Sequence, residues 1–571
     1  MNDKKWVPKN ISQEKAERIS KIFNISILTA KIILGRGLED DEEICRFLNP
    51  ELNRLYDPFL LKDMDKAVSR ILFAIQNQEK ILIYGDYDAD GITSVSILYD
   101  FLMKLDYIPM CYIPRRIEEG YGLSNASIPK ILESKATLVI TVDCGISAVD
   151  EVDFLKENDI DVIIIDHHEC SERIPNAYAV IDPCQSDCKY PYKYLAGVGV
   201  VFKFICALAK ATGIDDNVAL NYLDLTAIGT ISDVVKLTDE NRIIAKKGLE
   251  MISHSTNIGL RVLLEECGMK DKYINSFSVA YIIAPRLNAA GRMGEAIRGV
   301  KLLLTKYETI AQNIALELIN ENQKRQAIEQ NILSEVIEII ENNSAYKDIK
   351  VIVVKGNNWH YGMLGIVASK ITDRYYKPCI IISCDAICGK ASARSIVGFD
   401  IFKALTQTKD YLIKFGGHKM AAGLTMDIHD DNIDAFSKAI NIYADEVMDS
   451  DIFISNISID CEVSIGDLTI NTLDELELIG PFGAENPIPI ICIRHIKVDQ
   501  LMTMGKDKHI KIVASFEEKS IEIIGFNMVN VLQKIKCGDL IDVIGVPEVN
   551  QWAGRRKVQL NLRDLKLSVN E

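Results

Sequence analysis

The sequence predicts an α/β protein: a two-lobed core joined by a long helix, followed by a small β-barrel. Three observations predict it. Apolar, β-branched runs alternate with helical patterns between residues 80 and 235, as in a parallel sheet wound by crossovers. A helical pattern then runs over residues 307–341, longer than an ordinary globular helix. From about residue 452, short alternating strands with turn signals take over. At 571 residues the chain exceeds one hydrophobic core, so three or more domains are expected.

Residues 1–75 read as helical segments, for example 12–23 and 67–76, with Pro50 and Pro58 as breakers. Residues 76–240 form the first α/β domain. Its runs Lys80-Ile81-Leu82-Ile83-Tyr84, Leu138-Val139-Ile140-Thr141-Val142 and Val162-Ile163-Ile164-Ile165 read as buried strands. Residues 241–345 are mainly helical and end in the connecting helix, with Ile310, Ile314, Leu318, Ile328, Ile332 and Val336 as its apolar positions. A second α/β block, residues 346–445, holds strands at Lys350-Val351-Ile352-Val353-Val354 and Cys379-Ile380-Ile381-Ile382. In residues 452–571, strands are expected at 452–461, 488–498, 509–515, 520–526, 540–546 and 557–565, a pattern that suits an OB-fold.

Composition narrows the function. A hydrophobic content of 48% with 15 prolines fits a folded protein. The start, Met1-Asn2-Asp3-Lys4-Lys5-Trp6, lacks the apolar core of a signal peptide, and no apolar stretch is long enough to span a bilayer. The 14 cysteines are spread singly, as expected of reduced thiols in a cytoplasmic protein. Cys184-x-x-x-Cys188 and Cys384-x-x-x-Cys388 lack a second pair at finger-like distance and read as incidental rather than zinc-binding. A net charge of −16 excludes coating of nucleic acid by bulk attraction, so any strand contact must be local and helped by cations.

Three acidic motifs carry the chemistry. Asp86-Tyr87-Asp88-Ala89-Asp90-Gly91, Asp143-Cys144-Gly145 and Asp166-His167-His168 each follow one of the first three strands. In open α/β sheets, ligands sit beyond the carboxyl ends of the strands, so the motifs should converge on one crevice. Asp86-x-Asp-x-Asp-Gly resembles half an EF-hand loop, but the twelfth position is Ile97, which argues against calcium. A helix cap would need only one aspartate, whereas three in a row call for a cation. Imidazoles beside carboxylates suit manganese or zinc. Asp233, after an apolar segment, is a further candidate carboxylate. Gly416-Gly417-His418-Lys419-Met420-Ala421-Ala422-Gly423 reads as an anion-approach loop or as a tight turn with close helix packing. The clusters Arg115-Arg116, Arg286 to Arg292, Ser392 to Arg394 and Trp552 with Arg555 and Arg556 are candidate phosphate or strand contacts.

These motifs, with Arg286-Leu287-Asn288-Ala289-Ala290-Gly291-Arg292 and Pro481-Phe482-Gly483-Ala484-Glu485-Asn486-Pro487, resemble the DHH phosphoesterase superfamily. Within it they resemble the exonuclease family specific for single-stranded DNA. The resemblance implies DHH and DHHA1 lobes, an OB-fold and two divalent cations, Mn2+ or Mg2+. It implies Asp88, Asp90, Asp143, His167 and Asp233 as ligands, with Asp143 bridging and Asp86 structural. His168 would face the scissile phosphate, and Asp166 would orient the histidines. Arg116, Arg292, Ser392 and Arg394 would hold the terminal phosphate or nearby backbone, with Gly416, Gly417, His418 and Lys419 closing over the substrate. The superfamily often has a histidine four residues before the first liganding aspartate; here that position is Tyr84, which predicts a weaker metal site. The implied activity is 5′→3′ hydrolysis of single-stranded DNA to mononucleotides in recombination and repair. The implied partners are single-stranded DNA, a single-strand-binding protein and a helicase, with no membrane and a monomeric chain. The alternatives are an oligonucleotide or nucleotide phosphatase of the same superfamily, which would need no barrel, and a non-catalytic binding scaffold, which would lack the ligands.

Overall fold

A computed structural model describes residues 4–115, 119–120, 122–385, 387–428, 431–552 and 554–568, apart from the side chains at 450, 451 and 552. The chain divides into two compact units. One comprises Met1–Val7 and Asn320–Ile457; the other comprises Pro8–Ile319 and Ser458–Glu571. The strand β1 (Lys5–Pro8) opens the chain.

The larger unit is built on a five-stranded, wholly parallel sheet. Its strands are β2 (Ile81–Gly85), β3 (Met110–Tyr112), β4 (Leu138–Val142), β5 (Asp161–Ile165) and β6 (Ala179–Ile181). The order is β3-β2-β4-β5-β6. Every residue of β2, β4 and β6 is buried, because crossover helices cover both faces and favour unbroken apolar runs. The chain leaves β2 toward β3 on one side and returns to β4 on the other, so the switch point lies between β2 and β4.

The helix expected over residues 307–341 spans Glu308–Asn342. Its buried stripe differs from the expected one in the first half. Ala311, Ala315 and Leu318 are buried, while Ile310 is 46% exposed. Small alanines let the packed neighbours approach closely, so the inner face runs through them rather than through the isoleucines.

The smaller unit carries β7 (Ile352–Asn357), β8 (Cys379–Cys384), β9 (Gly389–Arg394), β10 (Leu412–His418) and β11 (Ala421–Met426). They form a mixed sheet in the order β10-β11-β9-β8-β7, with only β7 and β8 parallel. The expected strand at residues 452–461 is instead a 3-10 turn over Ser450–Phe453, then β12 (Asn456–Ile459), which pairs with β1, and β13 (Cys461–Glu462).

The barrel strands are β14 (Ile491–Met504), β15 (His509–Phe516), β16 (Lys519–Gly525), β17 (Leu540–Trp552) and β18 (Arg555–Leu567). They follow the order β14-β15-β16-β18-β17 and close by pairing β17 back on β14. The barrel does not stand alone. Ala16, Ile19, Ile32, Ile33 and Ile44 from the helices Gln13–Phe23, Ile27–Gly35 and Asp41–Leu48 share one core with Ile491, Ile512, Ile523 and Leu560. Two segments read separately in the sequence thus make one hydrophobic body.

Candidate metal centre

The loop after β2 is held by its own aspartates. Asp88 is the N-cap of the helix Ala89–Lys104, its Oδ1 accepting from the N–H groups of Asp90 (2.9 Å) and Gly91 (3.1 Å). The capping alternative therefore holds for this one residue, and the helix begins at Ala89. Asp90 is 1% exposed and is gripped by the start of another helix, Gly197–Thr212. Its Oδ2 accepts from Gly197 N (2.8 Å) and its Oδ1 from Val198 N (2.9 Å). Burial, then the charges of Asp233 and Asp88, push the Asp90 carboxyl up to about 7.

Asp143 follows β4 with φ 59°, a left-handed turn that aspartate tolerates, and is 3% exposed. Burial, then Asp90 and Asp88, raise its pKa well above the usual carboxylate range. Its carboxylate fits only because residue 197 is glycine: a Cβ there would stand 2.4 Å from Asp143 Oδ1. His167 Nε2 lies 3.2 Å from Asp143 Oδ1 and 3.7 Å from Asp233 Oδ2. This buried nitrogen makes a hydrogen bond to neither. Burial lowers its pKa and keeps the ring neutral, the form that ligates a metal. Asp233 ends the helix Leu223–Ser232 and is raised to about 7 by burial and by Asp88. The next residue, Val234, is β-branched yet has φ 63°, a strained conformation of the kind stored at functional sites.

Asp166 plays a different part. Its Oδ1 accepts from His167 N (2.8 Å), from His168 N (3.3 Å) and from His168 Nδ1 (2.7 Å), and its Oδ2 accepts from Ile146 N (2.9 Å). Burial alone would raise its pKa; the bond from His168 and the histidine charges outweigh it and hold it at about 2. In return, burial would lower His168, but Asp166 holds it up to about 9.

Three groups of ligand atoms gather within 4.8 Å: Asp86 with Asp88 and Asp143; Asp90 with His167 and Asp233; and Asp143 with Asp166, His167 and His168. Like charges packed this closely, beside a buried imidazole nitrogen without a partner, fit divalent cations. Asp86, read from sequence as structural, is 1% exposed and lies in the first group. Tyr84 is in none of the three; its hydroxyl donates to Gly122 O (2.9 Å), so a neutral phenol fills that position.

Several participants escaped the sequence reading. Gly197 and Val198 lie in Ala196-Gly197-Val198-Gly199, a glycine pair opening an apolar helix, which is a readable sign of close approach. Asn288 Oδ1 accepts from Ala89 N (2.7 Å), and a Cβ at Gly291 would stand 2.4 Å from Tyr87 O. The segment between Arg286 and Arg292 thus braces the metal loop. It forms the helix Ala284–Met293, which follows a π-helical turn, Val279–Ile283. Asp182, fully buried after β6, repeats the strand-then-aspartate pattern, and its Oδ1 accepts from Cys184 N (2.7 Å).

The remaining candidates are more dispersed. Arg116 lies outside the described residues. Arg292 is half-buried near the end of its helix. In the smaller unit Arg394 Nη1 donates to Ser392 Oγ (3.2 Å) on β9, beside Gly365. Gly416, Gly417, His418 and Lys419 form the exposed tip of the β10–β11 hairpin, and Ala421–Gly423 continue as strand, with Ala422 buried in one core with Ile401, Ala404 and Leu405 of the helix Ile401–Gln407. Trp552 and Arg555 are paired in backbone register across the β17–β18 hairpin, and Arg556 pairs with Asp474. All 14 cysteines are free, and no cysteine joins a metal-type group among the described residues.

This arrangement defines the class: a DHH-type phosphoesterase with a metal centre, a DHHA1 lobe and an OB-type barrel. Residues 80–230 match the DHH family N-terminal domain, 348–446 the DHHA1 domain and 459–564 the RecJ OB domain. The chain is 38% identical over 567 residues to the single-stranded-DNA-specific exonuclease RecJ of Bacillus subtilis, covering 99% of this chain and 71% of that one. It is 34% identical to the Haemophilus influenzae RecJ, covering 93% and 95%. The crystal structure of Thermus thermophilus RecJ in complex with Mn2+ superposes with a TM-score of 0.85 at 29% identity, over 99% of this chain and 80% of that one. The chain belongs to the RecJ family.

Proposed function

We propose that this chain is a metal-dependent exonuclease that removes mononucleotides from the 5′ end of single-stranded DNA during recombination and repair. One observation carries the reading: carboxylates that follow β2, β4 and the helix Leu223–Ser232 surround an imidazole nitrogen that has no hydrogen-bond partner among the described residues, beyond the carboxyl ends of the strands. Asp88, Asp90, Asp143, His167 and Asp233 would hold two divalent cations, Mn2+ or Mg2+, with Asp86 as a further carboxylate. When bound, such ions supply Lewis acidity and a more acidic water.

The chain's own residues do the rest. Asp143 belongs to two of the three ligand groups, which suits a bridging role. Asp166 stays ionised and fixes the His168 ring, whose side chain is 42% exposed. A protonated His168 suits the anionic scissile phosphate. Ser392 and Arg394 are read as contacts to the strand backbone. The barrel favours a polymer over a mononucleotide substrate. The retained ligands disfavour a non-catalytic scaffold.

No helix among the described residues is long and apolar enough to cross a membrane. The reading places the chain in the cytoplasm as a monomer, on strands supplied by a helicase and covered by a single-strand-binding protein. Digestion of 5′-labelled and 3′-labelled single strands, with and without Mn2+, tests it. Release of label first from the 5′ end, only with metal, is expected; release first from the 3′ end overturns the polarity, and no release overturns the activity.

A further inference from the structure

The larger unit also contains a cavity of about 580 Å³, lined by the N-terminal helical region, the start of the helix Asp239–Ile252 and Glu485 of the segment before the barrel. None of the clustered carboxylates of the metal centre lines it. Its size is that of a small-molecule site.

Its wall is aromatic and cationic. Phe47, Tyr56 and Tyr192 present rings, and Arg36, Arg46, Arg54 and Arg242 present guanidinium groups. Arg242 is 2% exposed and donates only to carbonyls: Phe47 O (2.8 Å), Ile479 O (3.0 Å) and Leu478 O (2.9 Å). A buried guanidinium hydrogen-bonded to no carboxylate leaves positive potential in the wall. Glu43, Asp239 and Glu485 also line the cavity, and Asp239 accepts from Tyr56 OH (3.0 Å) while Glu485 lies 3.8 Å from Lys236. Arg36 lies 3.5 Å from Asp460 and Arg46 3.3 Å from Glu42, which leaves Arg54 and Arg242 as the wall guanidiniums paired with no carboxylate among the described residues.

Two donors in this wall are unsatisfied. The Arg36 side chain is only 6% exposed, and its Nε has no acceptor among the described residues. Arg54 Nη1 is in the same condition. Buried donors without partners are rare; both atoms are enclosed, so a ligand in the cavity completes them once the guanidinium turns toward it. Arginine forks match phosphate geometry, and rings accept a flat base.

We propose that this cavity binds a nucleoside 5′-monophosphate, with the phosphate at the arginines and the base against the rings. The choice of a nucleotide rests on the exonuclease reading, since a mononucleotide is that reaction's product; the recognition of an anion does not.

Calorimetric titration of the chain in EDTA, with thymidine 5′-monophosphate, thymidine and inorganic phosphate, tests the site without hydrolysis. One monophosphate should bind per chain, at least about tenfold more tightly than thymidine or phosphate. Arg54→Gln and Arg46→Gln should each weaken it about tenfold, leaving the melting temperature and the initial Mn2+-dependent digestion rate unchanged. No saturable binding up to about 10 mM, far above a useful Kd, overturns the site, as does equal binding in both variants. Phosphate binding as tight as the monophosphate overturns the nucleotide assignment. Intact monophosphate binding in a chain that digests no DNA would leave the site standing and overturn the functional reading instead.

Discussion

At the scale of single residues, the metal centre depends on one missing side chain. A Cβ at residue 197 would overlap Asp143 Oδ1, and neither the buried aspartate nor the helix start can yield cheaply. Gly197→Ala should lower Mn2+ affinity by at least about tenfold and turnover by about a hundredfold, with only a few degrees lost in Tm. Titration calorimetry beside a nuclease assay checks it, and unchanged affinity would remove Asp143 from the centre. The adjacent histidines should separate: His167→Ala should lose bound metal, whereas His168→Ala should keep metal and lose turnover. Metal content of both purified variants decides between this and an equal loss.

The carboxyls of Asp90 and Asp233 sit at about 7 in the metal-free centre. The unfolded chain ionises them from about pH 4, but the folded chain keeps their protons to near 7. The stability they contribute at low pH is therefore lost as pH rises through that window. A divalent cation must displace the same protons. Between about pH 4 and 7, metal-free Tm should fall while Mn2+ affinity rises, with protons released on binding, and both should level off above about pH 8. Titration in two buffers of different ionisation enthalpy measures the release, and pH-independent affinity would contradict it.

At the scale of elements, the helix Ala284–Met293 acts as a brace. Asn288 takes the Ala89 N–H, and Gly291 lets the helix approach Tyr87 O. Asn288→Ala should cost about 1–2 kcal/mol of stability and weaken Mn2+ binding, because the freed N–H belongs to the liganding loop. Asn288→Asp retains an acceptor and should recover most of both. Thermal melts and Mn2+ titrations of the pair test it; equal defects in the two variants would mean that the amide oxygen is not the working group. The β17–β18 hairpin is less committed. The Arg556–Asp474 pair is solvent-exposed and screened, so Arg556 remains able to turn to a phosphate.

At the scale of the whole molecule, residues 16–44 and the barrel are one body. The N-terminal helices and the barrel share a core, and Arg242 ties both to the catalytic domain through carbonyls of residues 47, 478 and 479. Removing residues 459–571 alone should therefore leave an aggregating chain, since it bares Ala16, Ile19, Ile32, Ile33 and Ile44. Removing residues 1–50 as well should restore a soluble core that still binds Mn2+. Solubility, melting and Mn2+ titration of the two truncations check this, and a well-behaved single truncation would show that the shared core is dispensable.

The sequence by itself determined the sheet, the long helix, the barrel and the three acidic motifs. Each is a local pattern: β-branched runs, helical periodicity, alternating strands, and aspartates directly after strands. Residues 138–142 are strand β4 as read; of the barrel strands, that expected at 452–461 is broken up, β14 is shifted and longer, β17 and β18 are longer, and β15 and β16 agree to within a residue. Tertiary structure alone decided the rest. That Gly197 must be small, that Asn288 caps a loop 199 positions away, and that Asp86 joins Asp88 and Asp143 depend on contacts between distant segments. No short-range pattern encodes them. The same holds for residues 16–44 and the barrel: an apolar helix face shows that something covers it, and only the packed molecule shows what.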